Sequence, residues 1–172
     1  MKICMFQRSS FLGNIERLGV FFNESTIIDV KFVWLTVFEQ RGKYNAIELA
    51  GHKAPSSLAA VLKIYQEHSI DFFKETIEHY RSLMSKGILK TSFGGELAFD
   101  LKDDKTAKLN CPIDKINCYR DFYAHEKHVA KGFEKRGEPI PDAWYEIPAY
   151  YKGATSGFIG NEDTIPWPSY TD

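Results

Sequence analysis

The chain has 172 residues, enough for one domain with a substantial apolar core or for a small domain and part of a second. Its formal net charge is -1, and its Lys and Arg residues are scattered without a basic run, so no nucleic-acid partner is expected. Aromatic residues make up 15% of the chain, which favours a packed protein over a disordered one. No apolar stretch approaches the length of a transmembrane helix, so no membrane partner is expected either.

The N-terminus indicates a cytoplasmic protein, and the cysteines are interpreted accordingly. Residues 1–6 include one Lys and are followed at once by polar residues, so the apolar region of a signal peptide is missing. The three cysteines, Cys4, Cys111 and Cys118, form no CxxC pair. In a reducing compartment such thiols are expected to be buried or idle.

The first fifty residues are predicted to be rich in β-structure. Runs of β-branched and aromatic residues predict strands at 3–6, 18–22, 27–30 and 31–38, with a further strand at 44–49. Asn23-Glu24-Ser25 between two apolar runs is typical of a hairpin tip.

Two helices are predicted to follow. Apolar residues recur at spacings of three and four from Leu58 to Tyr65, behind a serine in a capping position. A second helix is predicted from Ser69 or Asp71 to Lys86, where Gly87 ends it. His68 and His79 are interpreted as solvated positions. Residues 91–108, with a charge run at 100–105, are predicted to be loop and linker.

The last third carries the candidate chemistry. Residues 116–119 are predicted to form a short strand, with a helix beginning near Asp121 and continuing over 126–135. In a helix, Asp121, His125 and His128 would lie on one stripe, because their spacings are four and three. An acid and two imidazoles on one face are a plausible metal or acid/base site. Residues 144–151 are predicted to be extended.

Each of these residues also has a structural explanation. Asp121 at a helix start is most often an N-cap, and His125 and His128 are more often surface or packing residues than ligands. Tyr123 and Tyr151 could be core aromatics, and Arg136 could complement a helix C-terminus. A zinc pair on His125 and His128 is a weak alternative, because the pattern lacks the HExxH spacing.

The order of motifs resembles that of the fumarylacetoacetate hydrolase family. The matching residues are Asp121-Phe122-Tyr123, His128, Arg136-Gly137, Trp144, Pro148 and 151–153, followed by a turn at 160–168 similar to the family's G-x-G-D-x-I-x-x-P. The resemblance covers 109–172 well and the rest loosely. It implies an α+β protein in two domains. The first, at 1–108, is a β-rich N-terminal domain with two helices, and 109–172 is the opening part of a mixed β-roll catalytic domain, incomplete in this chain.

The resemblance implies a metal-dependent hydrolase acting on C–C bonds of 1,3-dicarbonyl or acylpyruvate-type 2-oxo acids. Carried over by position, Asp121 is a ligand to Mg²⁺ or Ca²⁺, which prefer oxygen donors. His128 is the general base that takes a proton from water. Tyr123, Arg136 and Tyr151 bind and orient the substrate. His125 has no counterpart in the family's element and keeps its structural interpretation.

The family's E-x-E pair of metal ligands is absent from the sequence. One carboxylate cannot hold a divalent cation tightly, so activity is expected to need a complementing C-terminal portion. An incomplete β-roll would also leave strand edges unpaired, so the protein is expected to self-associate as a homodimer or to pair with that portion. Two alternatives stay open. One is a non-catalytic binding or interaction fragment, and the other is a split subunit of an isomerase, decarboxylase or dehydratase of the same family.

Overall fold

The computed structural model of the protein describes residues 1–113, 116–161 and 163–170. The chain divides into two compact units. The first comprises Met1–Lys115 and Ile159–Asp172, and the second comprises Ile116–Phe158. Both contain helices and strands, in agreement with the predicted α+β class. The division into domains at 108/109 stays a prediction.

The first unit is an antiparallel sheet with four helices. Its strands, in the spatial order β4-β3-β2-β1-β5, are β1 (Ile3–Gln7), β2 (Glu16–Phe21), β3 (Thr26–Asp29), β4 (Ala98–Asp100) and β5 (Lys108–Asn110). Its helices are α1 (Val30–Gln40), α2 (Ala46–Lys53), α3 (Leu58–Tyr65) and α4 (Ser69–Ser85). Four helices thus stand where two were predicted.

Helix α1 corrects the predicted strand at 31–38. It begins at an N-cap, where the Asp29 carboxylate accepts a hydrogen bond from the backbone N–H of Phe32 at 3.2 Å. Seven of its eleven residues are buried, because it packs on the sheet, on α2 and on α4. A helix buried on most of its faces has no amphipathic period, so its β-branched and aromatic residues imitate a strand. The strand at 44–49 was wrong as well, since α2 begins at Ala46.

The two predicted helices are confirmed as α3 and α4. Ser57 caps α3 by accepting from the N–H of Ala60 at 3.1 Å. Gly87, with φ of 72°, ends α4 in the left-handed region that glycine adopts without strain. The interpretation of His79 as a solvated position was wrong. Its ring packs edge-on against the buried Trp34, with ring centroids 4.8 Å apart, because α4 lies beside α1.

A buried ion pair joins the sheet to the start of α1. The Arg17 Nε donates to the Asp29 carboxylate at 2.7 Å, and both side chains are almost fully buried, at 1% and 2% exposed. Arg17 also donates to the Ser10 hydroxyl at 3.1 Å, and its guanidinium lies over the rings of Phe6 and Phe32. Burial raises the pKa of Asp29, and the neighbouring guanidinium opposes that shift. The pair is therefore a buried ionic link between β2 and the start of α1.

The C-terminal segment of the first unit is held at the end of β5. Gly160 approaches the backbone so closely that a Cβ there would lie 2.7 Å from the carbonyl carbon of Asn110. Within the turn predicted at 160–168, the N–H of Asp163 donates to the carbonyl of Gly160 at 3.4 Å, and Glu162 lies outside the described residues. Asp163 also pairs with Lys108 on β5, and this contact lowers the pKa of the carboxyl group. The turn is therefore fixed by a close backbone contact and by an ion pair.

The second unit is a two-stranded antiparallel ribbon with two helices. Its elements are β6 (Tyr119–Phe122), α5 (Glu126–Glu134), α6 (Ala143–Glu146) and β7 (Tyr150–Gly153). The helix predicted at 126–135 is confirmed as α5. The strand predicted at 116–119 begins only at Tyr119, and the extended stretch at 144–151 is interrupted by α6. In the described part of the chain, no helix is both long enough and apolar enough to cross a bilayer.

Candidate active site

The ribbon of the second unit brings Asp121 and Tyr151 together. The two residues are direct partners in the register of β6 and β7. Directly opposed residues of an antiparallel pair share one face, with Cβ atoms about 4.5–5.5 Å apart. Two residues that the family resemblance assigns to one site therefore lie side by side, although they are far apart in the sequence.

The same register corrects the predicted helical stripe. Asp121 lies in β6, and the helix begins only at Glu126, so Asp121 shares no helix face with His125 and His128. The interpretation of Asp121 as an N-cap was wrong too, because His125 occupies the N-cap position of α5. The strand forms because a partner strand lies opposite, a long-range pairing that local spacing does not reveal.

The carboxylate of Asp121 is exposed and available. It forms no hydrogen bond or ion pair with the rest of the described chain, in contrast to Asp29 and Asp163. Its oxygens are therefore free to accept from a ligand or to coordinate a hard cation. Such a cation would need several more oxygen donors than this one side chain provides.

An aromatic ring bounds one end of this face. Tyr119 is paired with Gly153 across the ribbon, and its ring lies directly over the glycine. A Cβ at position 153 would lie 2.0 Å from a carbon of that ring. The edge of Phe158 packs on Tyr119 with ring centroids 5.7 Å apart. The missing side chain at Gly153 thus lets Tyr119 form a wall beside Asp121.

Tyr123 is fixed between the ribbon and α5. Its N–H donates to the carbonyl of Ala149 at 3.0 Å, and its own carbonyl accepts from the indole N–H of Trp144 at 2.7 Å. Its hydroxyl lies beside Gly132 on α5, 3.5 Å from where a Cβ would be. Sequence reasoning included Trp144 as a motif residue but missed this anchoring role. The available signal was the indole of Trp144, which has one hydrogen-bond donor and no acceptor and therefore needs an acceptor nearby.

His125 and His128 lie at the start of α5. The carbonyl of His125 accepts from the N–H of His128 at 2.9 Å, so the two residues belong to the same first turn. Both side chains are exposed, whereas Val129 beside them is buried. Neither imidazole lies within ion-pair distance of a carboxylate among the described residues. The structure therefore does not bring His128 into contact with Asp121.

Arg136 lies just beyond the end of α5. Its guanidinium lies 3.5 Å from the Glu138 carboxylate and stacks on the Phe133 ring at 4.2 Å. The pair is exposed, and exposed ion pairs are typically worth at most about 1 kcal/mol. Arg136 could therefore exchange Glu138 for the carboxylate of a ligand at little cost.

The five predicted site residues share one unit but not one closed cavity. Asp121, Tyr123, His128, Arg136 and Tyr151 are all exposed. Over residues 1–113, 116–161 and 163–170, no three Asp, Glu, His or Cys side chains gather in a group able to hold a metal ion. The arrangement can present one carboxylate, two phenols, a base and a cation to a ligand. These residues do not by themselves enclose that ligand.

No known protein family matches the chain, and no curated protein matches it either.

Proposed function

We propose that the second unit is one wall of the active site of a metal-dependent hydrolase, which cleaves C–C bonds of acylpyruvates or other 1,3-dicarbonyl 2-oxo acids. The proposal is supported by the order of motifs in the sequence, which resembles that of the fumarylacetoacetate hydrolase family with its mixed β-roll. The observation that carries the proposal is the pairing of Asp121 with Tyr151 on one face of the ribbon.

Asp121 is the residue that would hold Mg²⁺ or Ca²⁺, because its carboxylate is exposed and has no partner in the described chain. When bound, such an ion stabilises negative charge on the oxygens of a dicarbonyl substrate. The proposal requires further carboxylates, supplied by a complementing segment or by a second copy of the chain. Self-association, or pairing with such a segment, is part of the proposal.

The chain's own residues have distinct roles in this proposal. His128 takes a proton from water, whose oxygen then forms a bond to the substrate carbonyl carbon. The C–C bond next to that carbon breaks, and its electron pair passes to the 2-oxo acid fragment, which takes up a proton. Arg136 pairs with the substrate carboxylate in place of Glu138, and the hydroxyls of Tyr123 and Tyr151 orient the substrate.

Turnover of acylpyruvates tests the proposal. The chain is expressed alone and together with its adjoining coding sequence, and the loss of substrate enol absorbance is followed with Mg²⁺, with Ca²⁺ and with EDTA. We expect metal-dependent turnover that falls at least a hundredfold in His128→Asn, the range for removing a general base. Turnover should also fall in Asp121→Asn, because that variant loses the metal-binding carboxylate. The neighbouring His125→Asn variant is the matched control and should keep full activity.

Two results would contradict this function. One is the absence of metal-dependent turnover in every form of the protein, with acylpyruvates and with β-diketones. The other is an equal loss on replacing His125 and His128, which would point to a zinc pair instead. If ligands bind to the unit without turnover in any form, the non-catalytic alternative applies.

A further inference from the structure

A cavity of about 260 Å³ lies in the first unit, where the C-terminal ends of α1 and α4 meet. Besides two apolar side chains, its lining consists of polar ones, namely Gln40, Arg41, His79, Ser82 and Lys86. Two of these are cations, and none is a carboxylate. A cavity with this lining is suited to a negatively charged ligand.

The two cations have no acidic partner. Arg41 and Lys86 form no ion pair and no side-chain hydrogen bond with the described residues, whereas Arg8, Arg17 and Lys108 do. Arg41 is partly held in place by the ring of Phe38, with its guanidinium carbon 6.0 Å from the ring centre. No carboxylate side chain of the described residues therefore pairs with the positive charge of the lining.

Cations at a helix C-terminus often cap its last carbonyl groups, but here backbone N–H groups already do so. At the end of α1, the N–H groups of Gly42 and Lys43 donate to the carbonyls of Glu39 and Phe38 at 2.9 and 3.1 Å. At the end of α4, the N–H groups of Gly87 and Ile88 donate in the same way to the carbonyls of Met84 and Leu83, both at 3.0 Å. The side chains of Arg41 and Lys86 are thus not needed as caps. Two helix ends contribute about half a negative charge each, which leaves about one net positive charge at the cavity.

His79 forms a fixed part of the wall. Its ring packs against Trp34, and its Nε2 is buried without a hydrogen bond, 3.5 Å from a carboxylate oxygen of Glu75. The side chains of Gln40 and Ser82 have no hydrogen-bond partner among the described residues and add neutral donors to the lining. The cavity therefore combines charged and neutral donors on the ends of two packed helices.

We propose that this cavity binds a compact oxyanion, the phosphate or carboxylate group of a small molecule, between Arg41 and Lys86. Its volume is below the roughly 300–1,000 Å³ of pockets for drug-sized ligands, which favours a small anion over a nucleotide. The site lies in the first unit and uses none of the residues of the proposed hydrolase site. It gives this unit a ligand-binding role that stands or falls separately from that activity.

Isothermal titration calorimetry on the full chain tests the site. Inorganic phosphate and succinate are titrated separately at constant ionic strength, with chloride as the balancing anion. We expect saturable one-site binding that weakens about tenfold in Arg41→Gln and in Lys86→Gln, the loss of one charged hydrogen bond. Lys63→Gln, which removes an exposed lysine from the last turn of α3, is the matched control and should bind like the wild type. Tighter binding of phosphate than of succinate identifies a phosphorylated ligand, and the reverse order a carboxylate.

A second measurement needs no variant. Acetylation of lysines in the wild-type chain is followed by mass spectrometry with and without the anion that binds. The anion should protect Lys86 several-fold and leave Lys63 unchanged. The proposal is wrong if neither anion gives saturable heat, if Arg41→Gln binds as tightly as the wild type, or if Lys86 and Lys63 react equally in both conditions.

Discussion

Replacing Asp29 should be among the most damaging single changes in the first unit. Its carboxylate has two roles, since one oxygen accepts from Arg17 at 2.7 Å and the other accepts from the N–H of Phe32 at 3.2 Å. In Asp29→Ala the Arg17 guanidinium stays buried without its counter-ion, and α1 loses its cap. In Asp29→Ser the hydroxyl can still cap the helix, so only the ion pair is lost.

The magnitudes follow from these two roles. Removing one partner of a buried ion pair costs about 3–5 kcal/mol, and removing an N-cap costs about 1 kcal/mol. We expect the free energy of unfolding to fall by about 4–6 kcal/mol in Asp29→Ala and by about 3–5 kcal/mol in Asp29→Ser. Since small domains have about 5–15 kcal/mol in total, Asp29→Ala should be only marginally folded. The double variant Arg17→Met/Asp29→Ser buries no charge and should recover most of the loss.

Urea unfolding followed by far-UV circular dichroism measures these differences. The exposed Asp103→Ala serves as the control for loss of an acidic residue and should change stability by less than about 0.5 kcal/mol. The reasoning would be refuted if Asp29→Ala cost no more than Asp103→Ala. It would be refuted as well if the double variant were as unstable as the sum of its single changes, because the cost would then not come from an unpaired buried charge.

Two further predictions concern the first unit. The hydrogen bond from Arg8 lowers the pKa of Glu96, so this contact stabilises the protein above the ordinary pKa of 4.5 and is lost as the pH falls through the folded-state value. The urea midpoint of the wild type should therefore fall more steeply below pH 4.5 than that of Arg8→Gln, and parallel profiles would contradict the assignment. Gly160→Ala should displace the turn at the end of β5, because the new Cβ would meet backbone atoms at 2.7 Å. Limited proteolysis should then cut after residue 159 several-fold faster than in Gly51→Ala, which adds the same methyl group in open space at a helical glycine, and equal rates would show that the close contact is not holding the turn.

The elements with clear local signals were predictable from the sequence. Helices α3 and α4 have an amphipathic period, and α3 has a serine cap and α4 a glycine stop, all of which depend on neighbouring residues alone. Strands β1 to β3 alternate with turns at short range. Helix α1 lacks such a period, and its one local signal, Asp29 before an apolar run, falls inside the strand predicted at 27–30. What makes α1 a helix is the packing around it, and the sequence does not display that packing.

The candidate site was predictable in its residues but not in its geometry. The motif order singled out Asp121 and Tyr151, and the spacing of Asp121, His125 and His128 suggested a helix stripe that does not exist. Pairing of β6 with β7 overrode the local helix signal, because the partner strand lies beyond α5 and α6 in the sequence. The unneutralised cations at Arg41 and Lys86 gave no sequence signal, since they converge only through the packing of α1 on α4.

The contrast between α1 and the ribbon has a consequence for hydrogen exchange. Amides of α1 lie in the most buried part of the first unit, so they should exchange only when that unit unfolds as a whole. The ribbon has two strands with exposed side chains on both faces, and such hairpins are only marginally stable by themselves. Its amides should therefore exchange early, through local opening. Slower exchange at Asp121 and Tyr151 on adding a metal, a substrate or a complementing segment would then report binding at this face before any turnover is detected.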